Sequence, residues 1–258
     1  MADTSLRERV LAGETVAGIL LTSGSPTFAE LCARIGFDWV MADLEHGTGT
    51  EADLLGQLQA IQGQGVTALV RVESATRIRI GRALDLGADG VMVPRLESLA
   101  KAERVVSWLR YPPAGERGIA LSTRGAGMGA TPHAGVPAIN DRVLGIVQIE
   151  NPGALEAAAA MAALGGIDVL FIGPTDLSHA LGVPGDLDHQ RYRDAVRTVS
   201  RACEGQGTAA GVLVWSVDDV PRYLDEGFRF FALSADGSLL RAAARRALDS
   251  FRESVAGR

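Results

Sequence analysis

Two acidic side chains stand at the ends of two apolar segments in the middle of the chain. Glu150 closes the segment 147–150, and Asp176 closes the segment 171–176. Apolar runs of this length, bounded by turn residues, are typical of buried strands. Parallel α/β folds place their chemistry at the carboxyl ends of such strands. Two carboxylates on strands joined by one helix therefore predict a pocket for a hard divalent cation, which prefers oxygen ligands.

A histidine and an aspartate follow another apolar segment. The run 39–43 ends at Asp43, and His46 stands three residues later. A carboxylate beside an imidazole can orient it and raise its basicity, which suits a general base. Taken alone this pair is weak evidence, because a histidine in a loop is more often solvated. Glu45, between the two, is expected to point away and to form a structural ion pair.

Arg71 and Asp85 each allow two interpretations. Arg71 stands near the end of the apolar run 68–72 and must find partners, because an unpaired buried charge is costly. It either pairs with a structural carboxylate or faces the pocket and stabilises a developing oxyanion. Asp85 interrupts an apolar helix face. It is either an exposed helix residue or a hydrogen-bond partner of His46, within one chain or across a subunit boundary.

Further candidates share these strand ends. Gln148 and Glu150 alternate along one strand and should face the same side. Gly173, Pro174, Thr175 and Asp176 open a helix whose first N–H groups suit a substrate carboxylate. Each residue also has a structural interpretation, a helix N-cap for Asp176 and a salt bridge for Glu150. Their coincidence with a histidine and an arginine at other strand ends favours a site.

The elements that must position these residues alternate along the chain. Eight strand-like runs are nearly continuous in apolar residues, as buried parallel strands are, and helical segments separate them. We predict a single α/β domain over 1–258, a (β/α)8 TIM barrel. The predicted strands are 18–22, 39–43, 68–72, 90–94, 144–150, 169–173, 211–215 and 230–234. The predicted helices are 28–35, 52–62, 78–86, 99–109, 154–164, 177–181, 191–204 and 239–255.

Two segments depart from this repeat. Residues 110–138 are rich in Gly, Pro, Ser and Thr, and a loop of this length in a compact domain is functional or disordered. We interpret it as a lid or a subunit-contact loop over the barrel mouth, with a plain surface excursion as the alternative. The final helix, 239–255, is extra to the barrel, and we predict that it serves oligomerisation.

Composition excludes several classes of protein. A formal net charge of −6 argues against nucleic acid as the main partner. Cys32 and Cys203 lie in separate helical segments, which favours reduced thiols. Residues 1–13 lack the apolar core of a signal peptide, and no apolar run approaches the length of a membrane span. We therefore expect a cytoplasmic protein without a membrane partner.

An ordered set of motifs resembles the HpcH/HpaI aldolase family of metal-dependent, class II 2-oxo acid aldolases. Single motifs are weak, but the ordered set is specific and covers nearly the whole chain. The motifs are Gly36-Phe37-Asp38-Trp39, Asp43-x-Glu45-His46, Val70-Arg71, Leu84-Asp85-x-Gly87-Ala88, Arg110-Tyr111-Pro112-Pro113, Val147-Gln148-Ile149-Glu150 and Gly173-Pro174-x-Asp176-Leu177-Ser178.

The resemblance implies a barrel that assembles as a hexamer or trimer, and it implies roles for single residues. Glu150 and Asp176 would bind Mg²⁺ or Mn²⁺, with Co²⁺ or Zn²⁺ as alternatives. The substrates would be a small 2-oxo acid, which chelates the metal, and an aldehyde. The oxo acid would be held by Gln148, Gly173, Pro174, Thr175 and Asp176. His46 would be the base, acting through metal-bound water, and Asp43 and Asp85 would adjust its basicity. Arg71 would stabilise the enolate.

The chemistry agrees with this family. Cleavage of a 4-hydroxy-2-oxo acid between C3 and C4 leaves a carbanion beside a ketone, which a divalent cation stabilises as an enolate. A Schiff-base mechanism is disfavoured, because Lys101 is the only lysine and lies in a charged stretch. Leu44 departs from the Asp-Gly-Glu-His of many members, and the loop 120–132 also differs, which leaves the acceptor aldehyde open.

Two other functions remain open from sequence. A carbon–carbon lyase of the citrate lyase β/malyl-CoA group would need a coenzyme A site, and no basic cluster suited to the nucleotide is evident. A catalytically silent barrel that only binds a ligand or partner is the other, since a fold does not by itself establish an activity.

Overall fold

Eight parallel strands form a closed barrel in the computed structural model, which describes residues 4–256. The strands are β1 Val16–Leu21, β2 Trp39–Asp43, β3 Thr67–Arg71, β4 Gly90–Val93, β5 Leu144–Ile149, β6 Val169–Ile172, β7 Ala209–Val214 and β8 Phe230–Ala235. Each strand pairs with the next, and β8 closes the barrel against β1. The predicted TIM barrel is confirmed. That the whole chain forms one domain stays a prediction.

The helices connect the strands on the outside of the barrel, as expected for right-handed crossovers. They are α1 Leu6–Leu11, α2 Pro26–Ile35, α3 Glu51–Gln62, α4 Arg77–Asp85, α5 Leu99–Leu109, α6 Val136–Ile139, α7 Pro152–Ala162, α8 Pro174–Ala180, α9 Gln190–Cys203, α10 Val220–Asp225 and α11 Asp236–Ala256. Gly36 and Gly87 follow α2 and α4 with φ of 103° and 99°, where a side chain would be strained.

Large side chains fill the inside of the barrel. Trp39 stacks on Phe230 with ring centroids 4.6 Å apart, and Phe171 meets Phe230 edge to face. Gly18 makes room for this pair, because a Cβ at Gly18 would overlap the Trp39 ring. A second apolar layer lies between the strands and the helices. Both faces of the strands are therefore buried, which explains their nearly continuous apolar sequence.

The short helix α1, which the sequence pattern did not predict, covers the amino end of the barrel. Leu6 and Val10 join the apolar cluster of the barrel interior. Arg7 Nε donates to both carboxylate oxygens of Asp168, at 3.0 and 3.1 Å. Since α1 covers this end, the carboxyl ends of the strands remain as the place for a pocket.

The long segment between α5 and β5 lies near the amino ends of the strands. Arg124 donates to Gln62 Oε1 at 2.5 Å, and Gly125 packs against the Leu84 carbonyl. Gln62 and Leu84 belong to the last turns of α3 and α4, which return the chain to the amino ends of β3 and β4. The prediction of a lid over the chain's own barrel mouth was wrong, because α–β connections lie at the opposite end. Its role as a subunit contact stays a prediction.

The final helix α11 begins at Asp236, which is its buried residue within the described chain. Asp236 accepts hydrogen bonds from the Thr22 N–H and the Thr22 hydroxyl, both at 2.8 Å. Beyond it the helix is largely exposed, including Leu240 and Phe251, which is 65% exposed. The use of α11 in oligomerisation stays a prediction.

Two expectations from composition can be compared with the fold. Cys32 lies in α2 and Cys203 in α9, and both are buried free thiols. Burial raises the pKa of the Cys203 thiol to about 12, so this side chain is uncharged. Within residues 4–256, no helix combines the length and the apolar character that a membrane crossing requires.

Candidate active site

The predicted site residues gather where the strands end. Asp43 and Arg71 are the last residues of β2 and β3, and Glu150 follows β5 directly. Asp176 is the third residue of α8, which begins two residues after β6 ends. The closed barrel brings these strand ends to one mouth, as in other α/β barrels.

Glu150 is a buried carboxylate held from two sides. Its Oε1 accepts the Arg95 N–H at 2.6 Å, and its Oε2 accepts from Gln148 Nε2 at 2.9 Å. No salt bridge of 4.0 Å or less is formed by Glu150 within residues 4–256. Burial raises the pKa of Glu150, against the lowering effect of the Arg95 N–H. The nearby Glu45 and Asp176 charges raise it further. Burial and the neighbouring negative charges disfavour the ionised form of Glu150, and a bound cation would stabilise that form.

Glu150 and Asp176 converge on one point beside Gly173. A Cβ placed on Gly173 would lie 3.4 Å from Glu150 Oε2 and 3.9 Å from Asp176 Oδ2. It would lie 3.2 Å from Gln148 Nε2. A side chain at Gly173 would occupy the space between the two carboxylates. The two acidic side chains therefore share one environment, as a common cation would require.

The donor set fits a hard divalent cation. Both carboxylates line a pocket of about 400 Å³, and the buried Gln148 Oε1 has no hydrogen-bond partner in the described chain. No group of three or more His, Cys, Asp or Glu side chains is arranged as a metal site among residues 4–256. One or two carboxylates completed by water and substrate oxygens are the usual set for Mg²⁺.

Arg71 pairs with carboxylates, as the first of its two interpretations requires, and its role towards an oxyanion stays a prediction. Its Nε and Nη2 donate to Asp43 at 2.9 and 2.6 Å, and its Nη1 lies 3.3 Å from Glu45 Oε2. The guanidinium is buried but pairs with two carboxylates at the mouth. Its pKa is raised: burial opposes the charged form, and the Asp43 hydrogen bonds and charge outweigh it. A fixed positive charge of this kind can stabilise an oxyanion.

The expectation that Asp43 orients the His46 imidazole was wrong. Asp43 accepts the backbone N–H of Glu45 at 3.0 Å and that of His46 at 3.3 Å, and its remaining contacts are to Arg71. Asp43 therefore shapes the loop that carries His46 and holds Arg71. The His46 side chain is 61% exposed at the mouth.

Glu45 points into the site, contrary to the expectation that it points away. Its Oε2 lies 3.8 Å from His46 Nε2 and 3.3 Å from Arg71 Nη1. The side chain is only 11% exposed, and Oε2 has no hydrogen bond within the described chain. Burial raises the pKa of Glu45, and the Asp43 and Asp176 charges add to this against Arg71. Glu45 is the carboxylate beside the imidazole.

A Glu45→Gln variant is expected to melt at a higher temperature than the wild type near pH 7 without added metal, because it removes a buried negative charge. Because the folded-state pKa of Glu45 is raised above 4.5, its ionisation destabilises the fold above that folded pKa. The cost vanishes below about pH 4.5, where the carboxyl is protonated in both states. Calorimetry across this pH range measures it.

The matched control for this stability test is the exposed carboxylate of Glu97, whose change to Gln should leave the melting temperature unaltered. If Glu45→Gln lowers the melting temperature at pH 7, the ion pair with Arg71 outweighs burial and our account of Glu45 is wrong.

Asp85 lies away from the chain's own mouth. It ends α4, and its Oδ1 accepts from Arg117 Nη2 at 3.1 Å. Since α4 runs from the carboxyl end of β3 back to the amino end of β4, Asp85 stands at the far end of the barrel from His46. A hydrogen bond to His46 within one chain is therefore not formed. The alternative across a subunit boundary stays a prediction.

Four of the predicted substrate-binding residues stand at the start of α8. Gly173 precedes the helix, Pro174 is its first residue, and Thr175 and Asp176 are exposed in its first turn. Asp176 is not the N-cap, so that structural interpretation was wrong. Substrate binding by these four residues and Gln148 stays a prediction.

Sequence reasoning missed two residues of the mouth. Glu45 was expected to point away, but β2 ends at Asp43 and the loop after it turns Glu45 into the site. Arg95 was not considered, although it stands two residues after β4. Its position just past a strand end was the signal that could have found it.

Comparisons with known proteins identify the family of this chain. The family model described as HpcH/HpaI aldolase/citrate lyase matches residues 17–243. A hydroxypyruvate/pyruvate aldolase of Delftia acidovorans is 37% identical over 94% of this chain and 90% of its own length. A 2-keto-3-deoxy-L-rhamnonate aldolase of Escherichia coli is 34% identical, over 97% and 94%.

A solved structure shows the same fold. The crystal structure of an HpcH/HpaI aldolase/citrate lyase family protein from Burkholderia cenocepacia matches with a TM-score of 0.90 and 33% identity. The match covers 96% of this chain and 98% of the other. The two chains therefore share the same barrel over nearly their whole lengths.

Proposed function

Because this chain belongs to the HpcH/HpaI aldolase/citrate lyase family, we propose that it cleaves a 4-hydroxy-2-oxo acid reversibly to pyruvate, or a similar 2-oxo acid, and an aldehyde. The relatives described above are named aldolases, and this chain matches them over nearly their whole length. The chain is therefore a carbon–carbon lyase of the class II, pyruvate type. Its substrates are small oxo acids and aldehydes. The observation that carries the proposal is the convergence of Glu150 and Asp176 beside Gly173.

The family membership supports a divalent metal cofactor, and we propose Glu150 and Asp176 as its ligands. Mg²⁺ or Mn²⁺ suits these oxygen ligands best, with Co²⁺ or Zn²⁺ as alternatives. When bound, such a cation polarises the ketone of the 2-oxo acid and offsets the negative charge that cleavage leaves on its oxygen. Gln148, with its amide donating to Glu150, orients that ligand and offers its free Oε1 to the site.

His46 is the proposed general base. In the cleavage direction the 4-hydroxyl proton moves to the His46 imidazole, the C4–O bond becomes a carbonyl, and the C3–C4 electron pair moves into the oxo acid fragment. Protonation at C3 then completes the 2-oxo acid. Glu45, 3.8 Å from His46 Nε2, is placed to stabilise the imidazolium that forms.

Arg71 is the proposed charge-stabilising group. Asp43 fixes its guanidinium through two hydrogen bonds, so its charge needs no rearrangement during the reaction. Thr175 and Asp176 would hold the oxo acid carboxylate through their backbone N–H groups, and Gly173 with Pro174 leaves space for it.

We further propose that the protein works as a homo-oligomer, a hexamer or trimer, in which Asp85 of one copy approaches His46 of another. Asp85 lies at the opposite end of the barrel from His46 and cannot reach it within one chain. The exposed apolar face of α11, with Leu240 and Phe251, supports a contact between copies. Sedimentation velocity of the native protein measures the assembly, and a monomer at micromolar concentration would contradict this proposal.

The test of the activity is metal removal. Pyruvate release from 4-hydroxy-2-oxo acids is expected to fall by at least about 100-fold after EDTA treatment and to return with Mg²⁺, Mn²⁺ or Co²⁺, because the carboxylates alone cannot stabilise the developing charge. A coupled assay for pyruvate over substrates with varied tails measures it. Full activity after complete metal removal, shown by elemental analysis, would reject the proposal.

Two alternatives predict other results. A citrate lyase β/malyl-CoA type lyase would cleave acyl-CoA substrates without acting on free acids, but the relatives at 34–37% identity are named aldolases. A purely binding barrel would bind the metal yet turn over no oxo acid. The same assay with an acyl-CoA arm separates the three functions.

A further inference from the structure

Arg95 has a strained backbone conformation, and two hydrogen bonds of its backbone accompany it. It stands after Pro94 at the end of β4 with φ of 54°, in the left-handed region that non-glycine residues rarely adopt. Its N–H donates to Glu150 Oε1 at 2.6 Å, and its carbonyl accepts from Lys101 Nζ at 3.2 Å. Strain of this kind persists where the surroundings over-determine it, which is frequent at functional sites.

Arg95 lines the pocket that holds both candidate metal ligands. The pocket has about 400 Å³, and Arg95 borders it together with Glu150, Asp176 and Asn151. Arg95 is exposed, and its positive charge lowers the pKa of Glu45, which follows β2. A guanidinium on this exposed residue can extend over the space in which substrate would lie.

This guanidinium keeps its hydrogen-bond donors available, unlike that of Arg71. Arg71 is fully engaged by Asp43 and Glu45. Within residues 4–256, no carboxylate lies within 4.0 Å of the Arg95 guanidinium, although the exposed Glu97 borders the same pocket. A free planar guanidinium recognises a carboxylate or phosphate through paired N–H groups.

The pocket has more room than the 2-oxo acid needs. The cation and the start of α8 account for the ketone and carboxylate of a three-carbon oxo acid, which occupies a minor part of about 400 Å³. With the oxo acid in this proposed position, the rest of the pocket that Arg95 borders is available to the aldehyde part of the substrate.

We propose that Arg95 is a specificity-determining residue that selects acceptor aldehydes carrying an anionic group, a carboxylate or a phosphate, apart from the carbonyl. This inference rests on the proposed aldolase activity and names the class of its second substrate. The backbone of Arg95 orients Glu150, and its side chain binds the anionic group of the acceptor.

The test uses matched aldehydes in the addition direction with pyruvate and Mn²⁺. Glyoxylate is compared with glycolaldehyde, and glyceraldehyde 3-phosphate with glyceraldehyde, so each pair differs mainly in the anionic group. The ratio of kcat/KM within each pair is expected to favour the charged aldehyde by about 10- to 100-fold in at least one pair. Which pair responds distinguishes a carboxylate from a phosphate acceptor.

Variants then assign the preference. Arg95→Gln is expected to lower this ratio by about the same factor, and Arg95→Lys to retain part of it, because a lysine keeps the charge but not the paired donors. Arg201→Gln, which removes an exposed charge on α9, is the matched control and should leave the ratio unchanged.

Three outcomes would overturn the inference. They are a wild type without preference in either pair, an unchanged ratio in Arg95→Gln, and an equal loss in Arg201→Gln, which would indicate the overall charge of the protein. In each case pyruvate is still consumed with the neutral aldehydes and the aldolase proposal stands. No adduct with any aldehyde would overturn the aldolase and this inference together.

Discussion

Replacement of Asp176 by asparagine is expected to weaken binding of the divalent cation by at least about 10-fold and to lower kcat/KM by about 100-fold or more. The amide keeps the shape of the side chain but removes one of two anionic ligands, and a hard cation depends strongly on ligand charge. Among the described residues, the Asp176 carboxylate accepts no hydrogen bond from another side chain, so no structural contact of this group is lost in the variant. Calorimetric titration of the metal-free protein with Mn²⁺ measures the affinity, and the coupled assay measures the activity.

The matched control for Asp176 is Glu97→Gln. Glu97 is a second exposed carboxylate on the same pocket, so its loss changes the local charge equally without removing a proposed ligand. Its metal affinity should stay within about 3-fold of the wild type. Equal metal affinity in the wild type and in Asp176→Asn would contradict the assignment of the metal site.

Replacement of His46 by alanine is expected to lower kcat by about 100- to 10,000-fold, the range that general acid–base catalysis contributes. Metal affinity should change by less than about 3-fold, because the His46 side chain is largely exposed and its nearest charged partner is Glu45 at 3.8 Å. Single-turnover cleavage measures the first quantity, and titration with Mn²⁺ measures the second.

His179→Ala is the control for His46, since His179 is exposed in the last turn of the same helix that carries Asp176. Its kcat should match the wild type. A loss of metal binding parallel to the loss of activity in His46→Ala would show that His46 supports the metal site, and it would remove the histidine from the role of base.

The barrel was predictable because its strands have a strong local signal. Runs such as 144–150 and 169–173 are nearly continuous in apolar residues since both faces are buried, and Gly36 and Gly87 mark helix ends where a left-handed residue is required. Each predicted strand begins within two residues of the observed one. The helix α1 was missed, because six residues carry too short a pattern to be distinguished from a loop.

The errors at the site share one cause. The sequence predicts that Glu45 points away, and it predicts that Asp43 orients the imidazole because the two lie close along the chain. The direction of a side chain beyond a strand end depends on the conformation of the loop, and here Asp43 sets it by accepting the N–H groups of Glu45 and His46. The length and composition of 110–138 favour a position over the mouth, although an α–β connection must start and finish at the amino ends of the strands.

The sequence alone determined the order of strands and helices, the carboxylates at two strand ends and the family to which the chain belongs, because apolar periodicity and motif order are local properties. Only the tertiary structure decided that Glu150 and Asp176 meet beside Gly173, that Glu45 turns inward and that Arg95 faces the pocket. These facts depend on closure of the barrel and on loop hydrogen bonds between residues far apart in the chain, which no local pattern contains.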